Sequence, residues 1–248
     1  MRKYRNLIAS FVVGMAMALA PAAMANSAAG LAPANTSLAD MGSLQSGAKL
    51  YFNYCSGCHS LSLMRYSRIA EDLNLTEAQV MQNFNFSGVN FGERIPATMN
   101  PADGKLWFGA APPDLSLMAR AKGVDYIYNY LKSFYLDPSR PLGWNNTVFP
   151  NASMPNALWE LQGLQTASFT AAHGVEPAHF DKFELHQAGS LSDEEYNQVV
   201  RDITNFLDYV SEPAALQRES IGIWVLLFLT LFTLIAYFLK QEYWKDVH

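Results

Sequence analysis

Hydrophobic and polar positions divide this chain into five stretches, and the third of them carries most of the helical pattern. From Ser43, apolar residues Leu44, Ala48, Tyr51 and Phe52 fall at helical spacing and run straight into Cys55. Gly47 lies on that helix, where glycine costs stability. It reads equally as the close approach of another helix or as an ordinary small surface residue. Thr76-Glu77-Ala78-Gln79 opens a short helix with Thr76 as its N-cap. Residues 84–112, rich in Gly, Asn and Pro, read mostly as loop, and Pro112-Pro113-Asp114-Leu115-Ser116 as a helix start. A helix is predicted from Asp125 to Tyr135, with Ile127, Tyr130, Leu131 and Phe134 on one face. Asp137-Pro138-Ser139-Arg140-Pro141 breaks it. Residues 142–190 hold no long periodic segment. Ser192-Asp193-Glu194-Glu195 is then a capping box, and Tyr196, Val199, Val200, Ile203, Phe206, Leu207 and Val210 repeat every three or four residues until Glu212-Pro213.

Two apolar runs lie outside this region. Arg2, Lys3 and Arg5 precede the run from Leu7 to Ala20, and Ala23-Met24-Ala25 follows it, which is the pattern of a secretory signal cleaved after Ala25. Ile221 to Leu239 carries no charge over 19 residues, about 28 Å of helix, close to the thickness of a bilayer's hydrocarbon core. Trp224, Tyr237, Tyr243 and Trp244 supply interfacial aromatics. Lys240 and Lys245 alternate with Glu242 and Asp246, so orientation rests on the export signal more than on flanking charge. With no ionisable residue inside, the span reads as an anchor without a proton path. The layout is a signal over 1–25, a flexible leader over 26–42, a folded domain over 43–213, a transmembrane anchor over 220–239 and a cytoplasmic tail over 240–248. The fold class is mainly α, with long loops and one C-terminal transmembrane helix.

The whole chain has 17 basic and 22 acidic residues. Losing residues 1–25 removes three basic residues and no acidic ones, which moves the net charge from −5 to −8. Nucleic acid is a poor partner for so acidic an exported chain. The acidity suits steering of a basic partner, and equally plain solubility.

Cys55-Ser56-Gly57-Cys58-His59 contains both cysteines of the chain. Cys-x-x-Cys-His is a covalent attachment motif for haem c, which makes the mainly α domain over 43–213 a c-type cytochrome haem domain. Residues three apart share a helical face, so Cys55 and Cys58 reach two vinyl groups on one haem edge while His59 turns a ring nitrogen to the iron. A redox dithiol is the competing reading, and the adjacent His argues against it. A second pair of zinc-spaced ligands is absent from the sequence.

The other face of the iron needs a ligand. Methionine opposite histidine gives a high-potential electron carrier. Met41, Met64, Met81, Met99, Met118 and Met154 are available. Met81 and Met118 lie in helical patterns and read as packing. Met154 stands in the proline-bounded Phe149-Pro150-Asn151-Ala152-Ser153-Met154-Pro155, and Met99 in the similar Ile95-Pro96-Ala97-Thr98-Met99-Asn100-Pro101. Met154 is preferred on its rigid setting, with Met99 left open. His173, His179 and His186 offer bis-histidine ligation but read as loop or surface residues.

Several blocks carry a family likeness. They are Tyr54 to Leu61 followed by Met64-Arg65-Tyr66, Trp107 to Ser116, Asp137 to Pro141 with Gly143 to Thr147, Phe149 to Pro155, and Ser211-Glu212-Pro213 ahead of the span. On these the chain, from about Ser43 onward, resembles the cytochrome c1 family of bc1 complexes (ubiquinol–cytochrome c reductases) in its proteobacterial form. The resemblance implies one covalently bound haem c with Met154 as second iron ligand. It implies that Arg120 contacts a haem propionate and that Pro112 and Pro113 line the crevice. It also implies an electron-transfer subunit that makes no substrate bonds itself. Its partners would be cytochrome b, the Rieske iron–sulfur protein and a c-type cytochrome acceptor, in a dimeric complex of the bacterial inner membrane with the haem domain in the periplasm. An anchored cytochrome serving a terminal oxidase or a denitrification reductase is the alternative. A haem sensor or peroxidase, which needs an open iron position, is a further one.

Overall fold

Asp40 starts the first helix: its carboxylate accepts from the Ser43 N–H at 3.0 Å, satisfying one of the donors a helix start leaves free. Helix α1, Met41–Tyr54, buries Leu44, Gly47, Ala48, Tyr51 and Phe52, the face its apolar spacing predicts. The structure is a computed structural model and describes residues 30–170 and 179–246. The chain divides into a unit of residues 1–31, of which only Gly30 and Leu31 are described, and a unit of residues 32–248 that holds every described helix and strand. The signal expected over 1–25 lies outside the described residues.

Helix α1 packs on the last helix of the domain, Asp193–Ser211, called α8 in chain order. Ser192 and Glu195 form the capping box that the sequence predicts. The two helices meet at Gly47. A Cβ there would overlap the Asp202 carbonyl and come within 2.8 Å of Phe206 Cβ, so close helix approach is the reason for glycine. Ser43 Oγ donates to Asp202 Oδ1 at 2.7 Å beside this contact. Leu44, Ile203 and Phe206 are 0%, 1% and 0% exposed, and burying each contributes about 1.5–3 kcal/mol.

Short elements fill the chain between. Strand β1, Leu61–Arg65, pairs antiparallel with β2, Arg94–Ile95. Helices α2, Tyr66–Asp72, and α3, Glu77–Phe84, lie between those strands in sequence. Phe52 of α1 stacks on Phe84 of α3 at 4.7 Å. Helix α4, Pro101–Phe108, lies inside the stretch expected to be mostly loop. Helices α5, Met118–Lys122, and α6, Val124–Lys132, follow, then β3, Phe134–Leu136, paired with β4, Trp144–Asn146. The expected helix start at Pro112 is delayed to Met118 because the Asp114 carboxylate accepts the Ser116 N–H at 2.9 Å and turns the backbone. The helix expected to reach Tyr135 ends at Lys132, and Phe134 is buried on a strand instead. After α7, Trp159–Gln162, a hairpin of β5, Gly163–Thr170, and β6, His179–Ala188, fills the stretch without periodicity. Register shifts at Leu164/Gln165 and Ser168/Phe169 break the two-residue alternation that marks a strand in sequence.

Residues 32–40 depart from the expected flexible leader of residues 26–42. The Ala34 N–H donates to Asp125 at 2.8 Å and the Ser37 N–H to Asn205 at 3.0 Å, while Arg201 Nε donates to the Ala34 carbonyl at 3.1 Å. Ala34 is wholly buried. The partners lie far along the chain, where composition cannot register them.

Helix α9, Ala215–Tyr243, contains an apolar span at Ser220–Tyr243. At 24 residues it is about 36 Å long, enough to cross the hydrocarbon core. Thr230 and Thr233 donate their hydroxyls to the carbonyls of Leu226 and Leu229 at 2.8 and 2.7 Å, so neither presents a free donor to lipid.

Candidate haem site

The end of α1 winds into the cysteine motif. The N–H groups of Cys55 and Ser56 both donate to the Tyr51 carbonyl, and those of Cys58 and His59 to the Cys55 carbonyl, all within 2.8–3.0 Å. The Tyr51 hydroxyl closes the turn by donating to the His59 carbonyl at 2.7 Å. Behind the turn, the Met99 N–H donates to the Gly57 carbonyl at 2.8 Å. The loop of Met99 therefore braces the motif through its backbone.

His59 Nδ1 lies 2.7 Å from the Pro113 carbonyl. A carbonyl only accepts, so the proton sits on Nδ1 and the Nε2 lone pair is available to a metal. Burial lowers the pKa of His59, outweighing the raising effects of Pro113 and of the Asp114 charge, and keeps the ring neutral as ligation requires. Burial, with a smaller push from Cys58, raises the Cys55 thiol to about 12, and burial raises Cys58 as well. A dithiol redox pair needs the opposite shift.

Asp114 holds the neighbouring segment. Its Oδ2 accepts from Ser60 Oγ at 2.6 Å and from the Ser62 N–H at 2.7 Å. Burial pushes this carboxyl upward, but hydrogen bonds from Ser116, Ser60 and Ser62 outweigh it and hold the pKa at about 2. Pro112 is seated on α4 at Gly104, where a Cβ would stand 2.6 Å from Pro112 Cδ.

Cys55, Cys58, His59, Pro112, Pro113 and Met154 all line one cavity of about 380 Å³. Ile127 and Leu131 of α6 and Ile203 and Leu207 of α8 complete an apolar lining. The size falls in the roughly 300–1,000 Å³ range of cofactor pockets. Paired sulfurs, a neutral imidazole and a thioether in an apolar cavity form a donor set that fits haem c.

Met154 is carried by a loop built on two asparagines. Asn145 Oδ1 accepts the N–H groups of Asn146 and Asn151 at 2.9 and 2.8 Å. Asn146 Oδ1 accepts those of Val148 and Phe149 at 2.9 and 3.0 Å, and its Nδ2 donates to the Tyr130 carbonyl at 2.8 Å. Arg140 donates from both terminal nitrogens to Asn151 at 3.1 Å. The Tyr130 hydroxyl lies 3.6 Å from Met154 Sδ.

Other candidates fall elsewhere. Met118 shares the cavity wall, whereas Met99 is absent from it. Arg120 is also absent from the wall; it stands exposed, 3.7 Å from Glu212. Lys122, which sequence reasoning passed over, lines the cavity and lies 5.7 Å from the Tyr126 ring centroid. Met118 and Lys122 are four residues apart and share a helix face, while Arg120 falls between them on another. That spacing was the signal available in the sequence. His186 is exposed on β6, away from the cavity. His173 and the side chain of His179 lie outside the described residues.

A haem-attachment turn on an apolar cavity, joined to one membrane-spanning helix, defines a membrane-anchored c-type cytochrome. The sequence profile described as the Cytochrome C1 family matches residues 34–92 and 93–247. The chain is 50% identical over 234 residues to "Cytochrome c1" of Allochromatium vinosum, covering 93% of this chain and 96% of that protein. It is 39% identical over 210 residues to "Ammonia monooxygenase gamma subunit" of Nitrosomonas europaea, covering 85% and 86%. It is 25% identical over 245 residues to "Cytochrome b/c1" of Bradyrhizobium diazoefficiens, covering 84% of this chain and 34% of that longer protein. The chain belongs to the cytochrome c1 family. It carries covalently bound haem c and acts as an anchored electron carrier of the respiratory chain.

Proposed function

We propose that Cys55 and Cys58 bond the haem, that His59 and Met154 are its two iron ligands, and that the subunit relays single electrons from a Rieske iron–sulfur protein to a c-type cytochrome. The observation that carries this reading is the cavity shared by the motif and Met154. The haem supplies a one-electron iron couple, chemistry that no side chain of the chain offers. His59 presents Nε2 because Pro113 holds its other nitrogen. Met154 presents a thioether on a loop that Asn145, Asn146 and Arg140 restrain. The apolar lining excludes water and, with the thioether, favours a high reduction potential. Pro112 and Pro113 form part of the crevice, and Lys122, in place of Arg120, is the cation for a haem propionate.

The partners follow from the family. Cytochrome b oxidises quinol, and the Rieske protein takes one of its electrons to this haem. The fused name "Cytochrome b/c1" of the Bradyrhizobium relative supports cytochrome b as a neighbour. The complex is a dimer in the bacterial inner membrane. There the signal is removed, the domain over 43–213 lies in the periplasm, residues 220–239 form the anchor and the tail over 240–248 is cytoplasmic.

Capture of the chain from detergent-solubilised membranes tests this. The expected sample contains b-type haem, a Rieske EPR signal and quinol-dependent cytochrome c reduction. Arrival of the c-type haem alone, or with an oxidase or a denitrification reductase, sinks the reading. Ready carbon monoxide binding by the reduced haem would point to a sensor or peroxidase instead.

A further inference from the structure

We propose that Tyr130 is the positioning residue for the Met154 sulfur: its hydroxyl donates to Sδ, restrains the thioether and raises the reduction potential of the haem. The inference rests on the reading of Met154 as iron ligand.

Tyr130 Oη stands 3.6 Å from Sδ, within hydrogen-bond reach of a sulfur acceptor. The ring is held from two directions. Tyr126 stacks on it at 6.0 Å and 15°, and Phe134 meets it edge-on at 5.1 Å. The ring is half-buried in an apolar lining, where a tyrosine hydroxyl takes a hydrogen-bond partner, and the sulfur lies in reach of it.

The backbone fixes the same pair. Asn146 Nδ2 donates to the Tyr130 carbonyl, and Asn146 Oδ1 accepts from Val148 and Phe149. One side-chain amide thus ties the helix bearing the hydroxyl to the loop bearing the sulfur. Hydroxyl and sulfur are registered to each other by four hydrogen bonds that owe nothing to the cofactor.

A thioether sulfur has two lone pairs. The hydroxyl engages one and leaves the other for iron. Electron density drawn toward the O–H makes the sulfur a weaker donor. The ferric state depends more on donation than the ferrous state does, so weaker donation favours reduction. A purely packing role for the ring makes a different forecast, because phenylalanine would fill the same space with no effect on the potential.

The test is Tyr130→Phe in the intact complex purified from membranes, with two readings. The far-red thioether-to-iron charge-transfer band of the ferric haem reports whether a methionine is bound. Redox titration of the c-type haem reports the potential. The expected result is a band in both proteins and a lower potential in the variant. The shift in the ferric-to-ferrous ratio is about threefold, the scale of a weak hydrogen bond, or about 30 mV at 59 mV per decade for one electron. A band in both proteins with an unchanged potential overturns the role of Tyr130 and leaves Met154 as ligand. Absence of the band from the unmutated protein overturns the ligand assignment and the inference with it.

Discussion

On one wall of the cavity, Cys55, Cys58 and His59 lie within five consecutive residues, and backbone hydrogen bonds of a single helical turn hold them. On the methionine-bearing wall, Tyr130 comes from a helix and Met154 from a loop, and the side-chain amides of Asn145 and Asn146, on a strand behind them, hold that wall. Adjacency does the positioning in the first case. In the second it is done by buried polar groups, each of which costs stability when its partner is lost. The histidine wall should therefore answer to changes in its reactive atoms, and the methionine wall to changes in residues that touch no cofactor.

The largest effect tests the first half of that statement. Cys55→Ser with Cys58→Ser removes both thioether bonds, and haem staining of the denatured polypeptide should disappear completely. Staining that survives would place the attachment elsewhere.

Asn146→Ala tests the second half. It strands two N–H groups and the Tyr130 carbonyl. Denaturant unfolding should show a loss of about 2 kcal/mol, with a weakened far-red charge-transfer band and intact haem staining. An unchanged band would mean that the loop holds its methionine without the asparagine.

The smallest effect concerns pH on the histidine wall. The folded pKa of Asp114 is about 2, below its ordinary value near 3.8. Its contribution is therefore fully present above the unfolded pKa and lost as pH falls through about 2. The carboxylate is exposed, so solvent screening limits the contribution to about 1 kcal/mol or less. Acid titration of stability between about pH 4 and 2 should be shallower in Asp114→Asn than in the unmutated protein. Equal slopes would remove Asp114 from the account.

The same contrast explains what was legible in the sequence. The attachment motif, helices α1 and α8 and the apolar span declare themselves because local periodicity or adjacency defines them. Prolines bound the loops of both Met154 and Met99, so sequence mechanics left Met99 open and family likeness raised Met154; the asparagines that build the Met154 loop act through side-chain bonds that periodicity does not record. The strap at residues 32–40 escaped for the same reason, since its partners Asp125, Arg201 and Asn205 lie up to 168 residues away. The β5–β6 hairpin was hidden by its register shifts. Arg120 was assigned to a propionate by family likeness alone; Lys122 was passed over, although its helical spacing from Met118 places it on the cavity wall.

The packing of α1 on α8 also sets a timetable. Ser43 and its partner Asp202 are 159 residues apart. Synthesis runs from the N-terminus, so the Cys55 to His59 turn is made long before the helix that covers it. Until α8 arrives, Ile203 and Leu207 are missing from the lining of the cavity. The nascent chain thus exposes Cys55 and Cys58 before the pocket can close, and the separation of two helices along the polypeptide sets how much chain must be made before it does.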